Sequence, residues 1–65
     1  MKLIETVKNL ANMPEGEYTG KLGGYDVDID NSPFKIKLKY GVRTFDLPVK
    51  IIVTKEECKI YENWQ

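Results

Sequence analysis

The stretch Tyr18-Thr19-Gly20-Lys21-Leu22-Gly23-Gly24-Tyr25-Asp26-Val27-Asp28-Ile29 decides the fold. Its apolar residues recur at every second position, and a glycine pair interrupts them. Period two is the spacing of a strand with one dry face and one wet face. Two glycines between alternating runs fit a two-residue hairpin loop. With Gly23-Gly24 as that loop, Leu22 faces Tyr25, Gly20 faces Val27, Tyr18 faces Ile29, and Lys21 falls opposite Asp26.

The alternation continues through Phe34, Ile36, Leu38 and Tyr40, then through Phe45, Leu47, Val49, Ile51 and Val53. Asn31-Ser32-Pro33 reads as a polar turn, and Gly41-Val42 as a glycine-first hairpin turn. That second loop predicts Leu38 opposite Phe45, Ile36 opposite Leu47, Phe34 opposite Val49, and Lys37 beside Asp46. A slip of one residue would reverse every face, so turn chemistry and pattern support each other. Pro48 lacks a ladder donor, which predicts a bulge or a sheet edge there. Thr54 to Glu57 is a charged turn, and a last strand from Cys58 to about Trp64 pairs through Cys58 and Ile60 with Val53 and Ile51.

Upstream the period changes. Leu3, Ile4, Val7, Leu10 and Ala11 follow helical spacing, and Pro14 stops a helix after Asn12. The expected fold is therefore α+β in a single domain spanning 1–65. A helix over 1–13 packs on an antiparallel meander of four or five strands over 17–64, laid out as a sheet or curled into an SH3-like partial barrel.

Ten basic and ten acidic side chains cancel, against the basic excess that phosphate binding favours. Asp26, Asp28 and Asp30 share one wet face, and Lys35, Lys37 and Lys39 share the next. Alone, the lysines suggest a phosphate patch; as neighbours of the aspartates they form an ion ladder that sets register. The run from Asp26 to Asp30 imitates the start of a calcium loop. Asn31 and Lys37 stand where that loop needs glycine and glutamate, so no metal or other cofactor is expected.

With no histidine and one cysteine, Cys58, disulfides and Cys/His zinc sites are excluded. Nothing marks a nucleophile with its base, and Cys58 reads as a small core residue, so the expectation is that this is not an enzyme. The lone cysteine and the charged opening Met1-Lys2-Leu3-Ile4-Glu5 point to a cytoplasmic protein without a membrane span.

Candidate partner or ligand contacts are six. Arg43, the single arginine, follows a tight turn and clusters near it with Thr44, Tyr40 and Lys39. Arg43 could equally stack on Tyr40. Tyr61, beside the wet-face Ile52, and Trp64 could anchor a partner or fold back over the core edge.

Gly24-Tyr25-Asp26-Val27, Gly41-Val42-Arg43 and Pro48-Val49-Lys50-Ile51-Ile52-Val53 resemble segments of short, uncharacterised β-rich proteins of bacteriophages and prophages. The resemblance covers roughly Gly16 to Val53 and leaves out the N-terminal stretch. It implies a viral accessory protein acting in the cytoplasm of an infected bacterium, with no assigned activity and no site residues. Three functions follow as expectations. The first is a non-catalytic protein that inhibits or modulates a host protein or defence component. The second is a homo-oligomer that sequesters a small nucleotide-like signal through Arg43 and its neighbours. The third, disfavoured by the charge balance, is a single-stranded nucleic-acid module using Lys35, Lys37 and Lys39.

Overall fold

The computed structural model describes residues 2–41 and 46–63. It is all β: β1 (Leu3–Lys8), β2 (Gly16–Gly23), β3 (Asp26–Ile29), β4 (Lys35–Lys37), β5 (Leu47–Val53) and β6 (Glu57–Glu62). They form one antiparallel sheet in the order β1-β6-β5-β2-β3-β4, curled into a half-barrel. The side chains buried inside the curl are Met13, Leu22, Val27, Ile29, Ile36, Leu38, Leu47, Val49, Ile51, Val53, Cys58 and Ile60. Among the described residues no helix is long and apolar enough to cross a membrane.

The expected N-terminal helix is a strand, so the α+β class is corrected to all β. The reason lies in a bulge. β1 pairs with β6 as Leu3↔Tyr61 and then Glu5↔Ile60, so Ile4 is an extra residue in the ladder. An inserted residue resets the two-residue period. Ile4 and Val7, three apart, can then both pack on the core, which imitates the spacing of a helix. The rest of the supposed stripe is not buried: Leu10 is 85 % exposed and Ala11 is also exposed. Asn12 adopts a left-handed conformation at φ 54°, in a loop rather than at a helix end.

The first hairpin is present with its register moved by two. Leu22 pairs with Val27, Gly20 with Ile29 and Lys21 with Asp28, so the loop is Gly24-Tyr25 and not Gly23-Gly24. Gly24 has φ +62° and Tyr25 does not have positive φ, the pattern of a glycine-first type II′ turn. A slip of two keeps each side chain on its expected face, so Val27 and Ile29 are buried as the pattern required. Tyr25 is the exception, placed in the loop and 58 % exposed.

Among the described residues the pairs expected of the second hairpin are not formed; Val42 and Phe45 lie outside the described residues. β4 pairs only with β3, through Asp26↔Lys37, Val27↔Ile36 and Asp28↔Lys35. β5 lies instead between β2 and β6, so Ile36 does not face Leu47 and Lys37 does not face Asp46. The physical reason is apolar content. Every second residue of β5 from Leu47 to Val53 is buried, and the residues between them are half-buried. A strand of that kind gains most from two neighbours, whereas the lysine-rich β4 tolerates an edge. The meander therefore holds only for β2-β3-β4. At Pro48 no bulge occurs in the β2–β5 ladder, and the β5–β6 ladder ends one residue short of it, at Val49↔Glu62. Beyond that last rung the Pro48 carbonyl accepts from Asn63 N–H at 3.0 Å, and no ladder donor is asked of the proline.

β6 pairs as predicted, with Ile51↔Ile60 and Val53↔Cys58. The Thr54–Glu57 turn closes on itself, Thr54 N–H donating to Glu57 O at 2.8 Å and Glu57 N–H to Thr54 Oγ1 at 3.2 Å. Cys58 is 1 % exposed, and burial pushes its thiol pKa up. A raised folded-state pKa means that the thiol costs nothing below its unfolded pKa. Stability is lost as pH rises above that value, because only the unfolded chain ionises there. We expect Cys58 to react with an Ellman-type reagent at no more than about one hundredth of the free-thiol rate at neutral pH, through opening of the sheet. Midpoints of urea denaturation should fall on the alkaline side and be flat around neutrality.

Candidate functional site

β1 and β4 are the two edges of the curled sheet, and the curl brings them face to face. All neighbours are antiparallel, so β1 and β4 also run in opposite directions. Two depressions of about 230 and 430 Å³ lie between them and share Val7, Lys8, Leu10 and Lys37. Together they form one seam along the open side of the half-barrel. Its deeper part includes Met13, Ile36, Leu38 and Cys58, all buried in the core.

Hydrogen-bond alternation shows which backbone groups face this seam. Asn9 N–H donates to Glu56 O at 3.0 Å, continuing the β1–β6 register. In an antiparallel ladder the inward-bonded residues recur every second position. Glu5, Val7 and Asn9 therefore direct their backbone to β6, and Thr6 and Lys8 direct theirs to the seam side, where the Lys8 carbonyl accepts from Leu10 N–H at 2.9 Å. Leu38 N–H donates to Tyr25 O at 2.7 Å, continuing the β3–β4 register. By the same rule Ile36 and Leu38 face β3, while Lys35, Lys37 and Lys39 present N–H and C=O to the seam.

One end of the seam is closed by a carboxylate. Glu5 shares the core-facing side of β1, since its partner Ile60 is buried. Its Oε2 accepts from Lys39 N–H at 2.8 Å and its Oε1 from Tyr40 N–H at 3.2 Å. Two successive amides thus converge on one anion, the donor arrangement that backbone nests use. We expect Glu5→Ala to cost about 1 kcal/mol and to speed hydrogen exchange at the Lys39 and Tyr40 amides, with amides in β5 unchanged.

The other end is shaped by Asn9. Its Oδ1 accepts from Met13 N–H at 2.8 Å, and its Nδ2 donates to Met13 O at 3.0 Å and Thr54 O at 3.1 Å. These bonds fold residues 10–13 back over the barrel end, seating Met13 in the core and leaving Leu10 projecting at the rim.

The sequence-predicted residues divide between two surfaces. Lys39 and Tyr40 rim the seam, with the Lys39 ammonium 5.5 Å from the Tyr40 ring centroid and Tyr40 69 % exposed. Tyr61 lies on the outer face, half-buried, opposite Leu3 on one side and Lys50 on the other, with Ile52 diagonal to it. Arg43, Thr44 and Trp64 lie outside the described residues. The sequence reading missed Glu5, Val7 and Leu10 as seam residues, having placed them on a helix.

Two rungs of the expected charge ladder are present, and Asp30, bonded to Thr19, and Lys39 are not part of it. Asp26 and Asp28 pair across from Lys37 and Lys35, and Lys35 Nζ lies 3.4 Å from Asp28 Oδ1. Both partners are well exposed, so the bridge is worth no more than about 1 kcal/mol. Among the described residues Lys8, Lys37 and Lys39 form no ion pair.

No protein-family model, curated protein or solved structure matches the chain.

Proposed function

We propose that the chain is a small non-catalytic binding protein that engages another protein through the β1–β4 seam. The observation that supports this reading most is the seam itself: two strand edges that no strand among the described residues pairs with, over an apolar floor, rimmed by exposed Leu10 and Tyr40. Edge strands of this kind are normally covered or paired, and an added strand is a recurrent mode of protein recognition. Exposed leucine and tyrosine at one opening supply anchors. In keeping with the resemblance to phage accessory proteins, the partner is a host protein in the bacterial cytoplasm, and binding inhibits or modulates it.

The test is native mass spectrometry of the tagged protein recovered from bacterial lysate, with a Leu10→Glu, Tyr40→Glu double variant as control. A partner mass present with the natural chain and lost with the variant supports the reading. A homo-oligomer carrying a nucleotide-sized increment overturns it in favour of ligand sequestration. Salt-dependent co-purification of nucleic acid through the lysines overturns it in favour of the nucleic-acid module.

A further inference from the structure

Resting on that reading, the geometry points to the class of segment the seam takes: an extended stretch of the partner protein in which acidic and apolar residues alternate, added as a strand to the free edge of β4. The protein carries a template for this on the opposite edge of the same strand. β3, Asp26-Val27-Asp28-Ile29, sets its aspartates against Lys37 and Lys35 and its Val27 against Ile36. A strand's side chains project above and below the sheet, so one lysine row serves both of its edges. The seam edge of β4 presents that row again, next to backbone groups that no described strand uses.

Charge and shape agree with this occupant. Lys8 from β1 and Lys37 and Lys39 from the β4 side surround the seam and have no ion-pair partner among the described residues. Glu5, the one carboxylate within it, is already held by the Lys39 and Tyr40 amides. That contact shows, within the chain, that the β4 side accepts a carboxylate beside its edge. It also closes the slot, so an added strand would span Lys35 and Lys37 and end at Glu5. Beneath it Val7, Ile36 and Met13 would receive alternate apolar side chains. A second copy is a poor occupant, because antiparallel β4–β4 pairing sets lysine against lysine.

The probe is a blocked seven-residue peptide of alternating Asp and Val, titrated to millimolar concentration into the 15N-labelled full chain and followed by NMR. Expected are amide shifts concentrated at Lys35, Lys37 and along β1. Binding should weaken at least about tenfold in Lys37→Glu, recover in part in Lys37→Arg, and be unchanged in Lys59→Glu on the outer face of β6. The dispersion of each spectrum shows whether a variant is folded. The absence of shifts, shifts centred on other strands, or equal binding of a Lys-Val peptide would overturn the proposal. So would an oligothymidine that competes with the peptide for the same amides. Should a lysate partner bind Lys37→Glu as well as the natural chain, the strand-addition proposal falls while the protein-binding reading stands. Loss of that partner only in the Leu10, Tyr40 double variant would likewise overturn strand addition and leave protein binding in place.

Discussion

Gly20→Ala is expected to remove about 4 kcal/mol, most of what a domain of this size has to lose. Gly20 lies where β2 pairs with Ile29 of β3 on one side and Val49 of β5 on the other. A Cβ built there overlaps the carbonyl oxygen of Asp28 and presses on the Ile29 Cα. The clash is with backbone, so no side-chain rotation relieves it, and the β2–β3 ladder must part. Urea denaturation should show the midpoint collapse. Thr19→Ala, its exposed neighbour, should move stability by less than about 1 kcal/mol. If Gly20→Ala were as stable as Thr19→Ala, the close approach of β2 to β3 would be wrong.

Asn9→Ala should cost about 3 kcal/mol, because three backbone groups lose one side chain at once. Met13 N–H, Met13 O and Thr54 O have been bonded to a half-buried amide and are not all able to reach water. Asn9→Asp separates the roles. It retains an acceptor for Met13 N–H but turns a second oxygen toward two carbonyls. It should therefore be no better than alanine. Thermal melts of the two variants settle the comparison, and an aspartate variant of natural stability would reverse the assignment of the amide. Met13 should loosen in both, visible as broadening of its methyl resonance.

How the fold was legible differs along the chain. Among the described residues from Tyr18 to Val53, Tyr25 and Tyr40 apart, the inward and outward faces are readable from alternation alone, and the buried set contains Leu22, Val27, Ile29, Ile36, Leu38, Leu47, Val49, Ile51 and Val53. The β2–β3 register and the second neighbour of β5 were not, because a period of two is blind to a shift of two and to the identity of the partner. Gly24-Tyr25 instead of Gly23-Gly24, and β5 beside β2 instead of β4, are both errors of that kind. β1 was hidden by its bulge, and with it went Glu5 and the seam. Lys39 and Tyr40 were readable as candidate contacts near a turn, although the alternation set Tyr40 with the inward-facing residues and it is exposed. Their place opposite β1 depends on the order of six strands, which no local pattern encodes.

The pairing of β1 with β6 also has a consequence in time. The first strand finds its hydrogen-bond partner only in the last, from Leu3↔Tyr61 to Lys8↔Glu57, and β5 must return to β2 across the whole β3–β4 excursion. Until residue 62 has emerged from the ribosome, β1 has no ladder and one side of β5 stays open. The chain should therefore fold after synthesis of this region rather than during it, at the slower rates of non-local β topologies, on the order of milliseconds to seconds. In that interval the apolar run of β5 is the segment most exposed to wrong pairing, and chaperone capture or aggregation of C-terminally shortened chains would centre on it.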